Sequence, residues 1–309
     1  MKKFIFILLC VLGSIQLSAQ QEAIFSQYHL NRFLINPAVA GTNYFNSIYT
    51  NMRFQWTGLP NSPKTGLISF HTKLNNIGIG GMLFSDRVAS LNRFGFNFAY
   101  AYHTKLEKYN LSIGLSGQYQ RFSLDPSAMQ GLENSNDPVV YEAMDGLNVY
   151  DANLGIYFSD EKMYVGFSVP NIIQARLATL GTETNTLAQL SRQFLFMAGY
   201  RYHQKKSPFS VAPSILLRKI AGTAFQADLT LKIGMLNEKF FTAFTYGTSE
   251  VITIHLGYQI KDEYMIAYSY DYSIGELFQY TRGSHEISFL WELGRKDFIK
   301  KQGKKRFKG

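Results

Sequence analysis

A regular alternation of apolar and polar residues runs through most of this 309-residue chain and restricts the folds open to it. In the stretch AFQADLTLKIG, residues 224–234, Phe225, Leu229 and Leu231 point one way, whereas Asp228 and Lys232 point the other. A side-chain period of two indicates a β-strand with one apolar and one polar face. The sequence therefore predicts an all-β fold.

Fourteen segments follow this pattern with varying regularity. We predict strands at residues 45–56, 64–74, 77–86, 93–104, 109–122, 150–159, 162–169, 193–203, 209–218, 224–234, 238–247, 250–260, 263–273 and 284–294. Most are close to the ~9–11 residues that a tilted strand needs to cross a membrane. Two segments depart from the pattern: 162–169 is short, and in 238–247 the adjacent Phe240 and Phe241 would face opposite ways.

The connections between predicted strands alternate in length. Every second one is tight: NN, LEKY, DE, QKKSP, LNE and KD. Three of the others are long, at residues 123–149, 170–192 and 273–283. Short turns at one end and long loops at the other are typical of an outer-membrane antiparallel β-barrel with periplasmic turns. A soluble β-sandwich, the alternative, has no reason to sort its loops in this way.

Composition agrees with a transmembrane antiparallel β-barrel of about 14 strands. Aromatic residues make up 15% of the chain and charged residues 17%, as expected if the apolar rows face lipid and aromatic girdles mark the interfaces. A closed sheet pairs all its backbone groups, as hydrocarbon requires. The opposite rows carry Arg93, Asp228, Glu286 and similar residues, so the lumen should be wet or filled by a polar plug.

The N-terminus resembles a secretory leader. Lys2 and Lys3 precede the apolar run FIFILLCVL, and small residues lead to Ala19, which predicts a signal peptide at residues 1–19. The alternative, a membrane anchor, needs about 20 apolar residues. Cys10 is the only cysteine, so the mature chain should contain none. We predict four parts: the leader, an N-terminal periplasmic or plug segment (20–44), the barrel (45–294) and a tail (295–309).

Positive charge is concentrated in that tail. Residues 295–309 carry eight Lys or Arg and one Asp, and with the two leader lysines they account for the whole formal charge of +9. An even strand number places both mature termini on one side, the periplasm, where we expect the tail to be disordered. An exported tail of this kind suits anionic lipid, peptidoglycan or an acidic partner, and we expect no nucleic-acid partner. Its basic residues include Lys300, Lys301, Lys304, Lys305, Arg306 and Lys308.

Motifs for catalysis or cofactor binding are absent from the sequence. The GIGG stretch at 78–81 lacks the third glycine of a dinucleotide fingerprint, and we interpret it as a strand with small lumen-facing residues. The six histidines show no metal-ligand spacing, and there is no G-x-S-x-G. We expect neither cofactor nor metal. Two alternatives stay open: a catalytic triad assembled from separate strands, and calcium binding by the acidic loop at 123–149.

The stretch QYHLNRFLINPAVAG, residues 27–41, breaks the alternation. Its apolar residues have spacings that a short helix tolerates, and Asn36-Pro37 should end that helix. The segment is aromatic enough to need burial, and it precedes the first strand. We expect it at the lumen mouth, at the periplasmic rim or against a partner, and we hypothesise a docking or plug role.

With its leader, the stretch FSQYHLNRFLINPAVAG and the tyrosine-rich barrel, the whole chain resembles the PorP/SprF family of Bacteroidetes outer-membrane proteins. Val39 departs mildly from the pattern, since an aromatic residue is common there. The matching residues are Phe25, Ser26, Gln27, Tyr28, Asn31, Asn36, Pro37, Ala38, Ala40 and Gly41.

The resemblance implies a non-enzymatic component of type IX secretion and gliding in the outer membrane. It further implies periplasmic ring and peptidoglycan-binding partners, and export or surface attachment of a large secreted adhesin. The residues by themselves support only an outer-membrane barrel without a visible active site. A small-solute channel is the main alternative function, and an outer-membrane enzyme is a third class.

Overall fold

The structure is a computed structural model that describes residues 25–43, 45–125, 146–174, 190–204 and 207–295, apart from the side chain of Leu277. The predicted signal peptide, most of the acidic loop and the tail from residue 296 onward lie outside these ranges. No helix within them is long and apolar enough to span a membrane.

The described residues form fifteen strand segments and three short 3₁₀ turns. The turns are Arg32–Leu34, Pro37–Val39 and Glu276–Gln279. The strands are β1 Asn46–Phe54, β2 Lys64–Leu74, β3 Ile77–Val88, β4 Leu91–Leu106, β5 Tyr109–Leu124, β6 Leu147–Ser159, β7 Met163–Val169, β8 Gln193–Tyr200, β9 Tyr202–His203, β10 Ser210–Ile220, β11 Gln226–Met235, β12 Phe240–Gly247, β13 Val251–Lys261, β14 Tyr264–Ser273 and β15 Ser284–Leu293.

These strands close into one antiparallel barrel. Consecutive strands pair with each other, except that β8 pairs with β10 instead of β9, and β1 pairs with β15 from Asn46↔Leu293 to Phe54↔His285. β8 and β9 both pair with β10 and lie end to end, separated by Arg201. They occupy one position, so the barrel has 14 strands. The predicted strand number, order and antiparallel pairing are confirmed, and in the described part of the chain closure gives every one of the 14 strand positions a neighbour on both sides.

The two faces of the sheet are assigned as the alternation predicts. On β4, Phe98 is 51% exposed on the outer surface, whereas the neighbouring Asn97 is 8% exposed and points inward. β13 repeats this arrangement, with Ile254 and Leu256 outside and His255 inside. The outer surface is an apolar wall suited to lipid. The polar row of segment 193–203 predicts an inward Arg201, but this residue is exposed at the break between β8 and β9.

The irregular segment 238–247 forms β12 because one of its phenylalanines fits inside. Phe241 is buried and pairs in register with Gly257 on β13. A Cβ atom at Gly257 would lie 1.9 Å from the Phe241 ring. Because Gly257 has no side chain, the Phe241 ring fits inside the barrel. The segment forms a continuous strand although its apolar and polar residues do not alternate regularly.

The barrel has two distinct ends. β1 begins and β15 ends at one of them, together with the tight turns; we call this the terminal rim. The opposite end, the loop rim, carries the long connections, although β3 and β4 are joined there by residues 89–90 alone. At the terminal rim, Asp160 accepts hydrogen bonds from the backbone N–H groups of Lys162 and Met163, both at 2.7 Å. The bonds from Met163 and Lys162 hold the pKa of Asp160 below its usual range.

Candidate functional site

Residues Phe25–Asn43 lie inside the barrel, and we call them the luminal segment. Its two 3₁₀ turns replace the single short helix expected from the sequence. The first ends at Leu34, as the Asn36-Pro37 pair requires. Pro37 then opens the second turn, a position where its missing N–H costs nothing. The Asn36 side chain caps this turn by accepting a hydrogen bond from the Ala38 amide at 2.9 Å.

The start of the luminal segment is fixed near the loop rim by Glu286. This carboxylate accepts hydrogen bonds from the backbone N–H groups of Ser26 at 2.8 Å and Gln27 at 3.1 Å. Gln27 has 0% exposure, and its side chain bonds the Glu286 carbonyl and the Ser288 hydroxyl. Glu286 pairs in register with Arg53, one residue from the loop end of β1. The segment therefore reaches deep into the lumen.

Arg53 joins this anchor to two carboxylates. Its guanidinium lies 2.6 Å from Asp271 and 2.8 Å from Glu286, and all three side chains are buried. Arg53 also donates to the Ser26 hydroxyl at 2.7 Å, and that hydroxyl donates to Asp271 at 2.9 Å. Asn51 supplies a further hydrogen bond to Glu286 at 2.8 Å. The luminal segment thus completes a buried charge network of the wall.

The middle of the segment contacts opposite walls. Tyr28 hydrogen-bonds Thr230 on β11 at 3.2 Å, and Asn31 donates to Ser69 on β2 at 2.9 Å. Arg32 donates to the Tyr157 hydroxyl on β6 at 3.2 Å and lies over the Tyr164 ring. These contacts come from around the circumference, so the segment crosses the lumen rather than lining one side.

The end of the segment packs on glycines near the terminal rim. A Cβ atom at Gly78 would lie 1.9 Å from the Ala40 carbonyl oxygen, and one at Gly114 would lie 2.3 Å from the Ala38 nitrogen. Gly155 and Gly166 similarly face the Asn36 side chain. We call these four residues the glycine track. The interpretation of GIGG as a strand with small inward residues agrees with this arrangement, since Gly78 is buried there.

Hydrogen bonds fix the same end. Asn36 donates to the backbone carbonyls of Ile156 at 3.1 Å and Phe167 at 3.3 Å. The Gly41 amide donates to His71 at 3.2 Å. Gly41 has φ +69°, and a Cβ atom there would lie 2.6 Å from Gly78, so only glycine fits this turn into β1.

The structure brings the predicted motif residues together in one element, held by the wall. Their burial follows from contacts with strands far away in sequence. The one sequence signal for it is the set of inward glycines, which local alternation does not link to the motif. Docking of a partner by these residues stays a prediction. The basic residues Lys300, Lys301, Lys304, Lys305, Arg306 and Lys308 lie outside the described part of the chain.

A cavity of about 130 Å³ lies between the luminal segment and the loop rim. Phe25, Phe33 and Leu34 of the segment line one side. The walls are the loop-side halves of the strands, with apolar side chains such as Phe84 and polar ones such as Gln120. Across the described ranges, no cluster of three or more His, Cys, Asp or Glu is placed to hold a metal ion.

Comparison with known structures identifies similar barrels. The chain is similar to the toluene transporter TbuX of Ralstonia pickettii, with 12% identity, TM-score 0.51, and coverage of 84% of this chain and 93% of that one. It is also similar to the CymD monoaromatic hydrocarbon channel, with 13% identity, TM-score 0.49, and coverage of 87% of this chain and 93% of that one. A third similar barrel is Omp33 of Acinetobacter baumannii, with 7% identity, TM-score 0.47, and coverage of 82% of this chain and 100% of that one. The likeness to TbuX supports the outer-membrane barrel fold alone.

No protein of curated function matches the sequence. The family model for the type IX secretion system membrane protein PorP/SprF, however, matches residues 17–291, which is most of the chain. That range includes the whole luminal segment and nearly all of the barrel. The chain belongs to the PorP/SprF family of type IX secretion system membrane proteins.

Proposed function

We propose that this protein is a non-enzymatic outer-membrane component of type IX secretion and gliding that supports export or surface attachment of a large secreted adhesin. The observation that carries the proposal is the family match over residues 17–291. Under it, the leader at 1–19 directs export and both mature termini are periplasmic. Outer-membrane lipid surrounds the apolar wall, and ring and peptidoglycan-binding proteins of the machinery are the periplasmic partners.

The filled lumen supports a role other than conduction of the adhesin through this barrel. The luminal segment is bonded to strands around the circumference, and a folded or extended chain would have to displace it. A fixed interior suits a barrel that anchors or recognises other proteins at its rims. We propose the terminal rim as the docking side, because the luminal segment enters β1 there and the basic tail follows β15.

A small-solute channel is the second candidate. The cavity beside the luminal segment favours it, and a similar barrel, TbuX, is described as a toluene transporter. Conduction would require a path past the Tyr28, Asn31 and Arg32 contacts that cross the lumen. The channel function therefore requires the luminal segment to move, whereas the secretion function does not.

A complementation experiment tests the proposal. A strain lacking the gene is expected to lose one surface adhesin, detected by surface proteolysis and mass spectrometry. The native gene should restore display, and Tyr28→Ala with Asn36→Ala should restore less if the motif serves partners. Tyr246→Ala, on the outer wall, is the matched control. Each variant is checked for a heat-resistant folded band on gels.

Purified native protein in liposomes supplies the second measurement. The proposal predicts no conductance above that of empty liposomes. Conductance by the native barrel, together with unchanged display of every surface protein in the deletion strain, would favour the channel and contradict the secretion role.

A further inference from the structure

Charged side chains on the outward faces of the strands are basic and gather at one end of the barrel. In the described part of the chain, no Asp or Glu within a strand points outward. The outward Lys and Arg residues, apart from Lys261 at the terminal-rim end of β13, all lie within four residues of the loop rim. A charge on the lipid-facing wall is costly at the bilayer centre and much less so near an interface. The outward basic residues at the loop rim are Lys64, Arg87, Arg121 and Lys219.

Two of these cations are direct neighbours. Lys64, the first residue of β2, pairs in register with Arg87 on β3. The Cβ atoms of such a pair are about 4.5–5.5 Å apart, and like charges placed there destabilise a sheet. Asp125 lies 2.6 Å from the Arg87 guanidinium, which stays 57% exposed, whereas Lys64 makes no ion pair within the described ranges. The pair therefore keeps an excess of positive charge that a second anion would stabilise.

A gap in the apolar wall lies next to this pair, on its terminal-rim side. Gly66 on β2 and Ser85 on β3 are the next outward residues and also pair in register. A Cβ atom at Gly66 would have nothing within 4 Å, so the space beside it is open. Met52 and Phe94, the register partners on either side, are 62% and 48% exposed and form its flanks. We call this gap, together with Lys64 and Arg87, the outer groove.

The outer groove leads into the apolar wall. Ile68 and Leu83 are the following outward pair, 46% and 43% exposed. Cations at one end and hydrocarbon contact at the other match a molecule with an anionic head and an acyl chain. A polar peptide backbone is excluded from a lipid-facing surface, because its N–H and C=O groups would lose their hydrogen bonds. A free phosphate would contact the cations alone.

We propose that the outer groove binds one phosphorylated lipid of the leaflet at the loop rim. Lys64 and Arg87 donate charge-assisted hydrogen bonds to the phosphate oxygens, and an acyl chain lies over Gly66 and Ser85 toward Ile68. Basic pockets on membrane proteins bind lipid headgroups in this way. With both termini periplasmic, as proposed above, the lipid is an anionic glycolipid of the outer leaflet. The site itself does not depend on the secretion role.

Native mass spectrometry of the purified full chain tests the proposal, with diphosphoryl lipid A as the probe. The protein is expected to retain one lipid A molecule and to release phosphatidylcholine, whose headgroup has no net charge. Lys64→Gln with Arg87→Gln should weaken binding about thirtyfold, because each cation at an anionic lipid surface contributes about fivefold. Lys219→Gln is the matched control, since this outward lysine of the same rim has Phe194 as its register partner. It should bind as the native protein does.

Gly66→Leu tests the shape of the outer groove without changing its charge. The leucine side chain would occupy the open space and displace the acyl chain. Binding should weaken about tenfold, which corresponds to roughly two buried CH₂ groups. Gly117→Leu is the control, because this outward glycine on β5 has equally open surroundings. Each variant is checked for the heat-resistant folded band on gels.

Inorganic phosphate in excess distinguishes a lipid site from a simple anion site. Lipid A should stay bound, because phosphate cannot replace its acyl contacts, and complete displacement would overturn the proposal. Equal retention of lipid A and phosphatidylcholine, or unchanged lipid A binding in the double variant or in Gly66→Leu, would also overturn it. A loss in Lys219→Gln as large as that in the double variant would show general attraction to the charged rim instead of binding in the outer groove.

Discussion

Arg53 shows how single residues connect the luminal segment to the barrel. It faces Asp271 and Glu286, so the buried cluster has more negative than positive charge. Taking such charges out of water is costly unless hydrogen bonds replace the lost hydration. The amides of Ser26 and Gln27 provide two of those bonds to Glu286. The luminal segment therefore supplies hydrogen bonds to a buried carboxylate of the wall, and the same bonds fix the position of the segment.

Replacing Arg53 tests this dependence. Arg53→Met should lower the free energy of unfolding by about 3–5 kcal/mol, because two buried carboxylates lose their cation. Arg87→Met is the control: Arg87 pairs with Asp125 at 2.6 Å, but its side chain is 57% exposed, so its loss should cost about 0–1 kcal/mol. Urea unfolding followed by the heat-resistant gel band measures both. Equal losses would contradict the assigned burial of the cluster.

At the scale of elements, the luminal segment and four strands are matched in shape. The glycine track lies on β3, β5, β6 and β7, where Gly78, Gly114, Gly155 and Gly166 leave room for residues 36–40. Glycine weakens a strand interior, so its use there usually marks close approach of another backbone. These glycines therefore lower the stability of their strands, and packing of the luminal segment against them offsets that loss.

An added methyl group on this track should loosen the segment. A Cβ atom at Gly155 would lie 2.0 Å from Asn36 Oδ1, so Gly155→Ala should cost about 1–3 kcal/mol through overpacking. It should also speed trypsin cleavage after Arg32, which native packing protects. Gly117→Ala is the control, since nothing lies within 4 Å of its added atom. Unchanged cleavage in Gly155→Ala would show that the track does not hold the segment.

The whole molecule is a closed barrel whose interior is occupied by its own chain. Barrels of about 8 strands fill their interiors with side chains, and those of about 16–18 leave an aqueous channel. With 14 strands, this barrel is intermediate in size. The luminal segment supplies the extra volume, and the remaining cavity lies on the loop side.

Orientation in the membrane is a prediction at this scale. If the terminal rim is periplasmic, Lys305→Cys in the tail should not react with an impermeant thiol reagent in intact cells and should react after permeabilisation. Tyr280→Cys, at an exposed position of the loop rim, should react in intact cells. The native mature chain contains no cysteine if Cys10 is removed with the leader, so labelling reports these sites alone. The opposite labelling pattern would reverse the topology.

The sequence by itself determined the barrel: its strand number, its antiparallel order and the outward rows. Lipid is a uniform environment, so every outward residue must be apolar whatever its neighbours on other strands are. Alternation along one strand is therefore enough to identify the outward row. Even β12, where Phe241 interrupts the pattern, lies within the predicted segment 238–247. The motif at residues 25–41 was also evident as a break in that alternation.

Only the tertiary structure decided where the motif goes and what fills the lumen. Gln27 meets Glu286 across 259 residues of sequence, and Asn36 meets Ile156 across 120. Inward polar residues have the same sequence pattern whether they face water, a plug or a ligand. Their partners are set by closure of the barrel, which brings distant strands around one segment, and no local pattern carries that information.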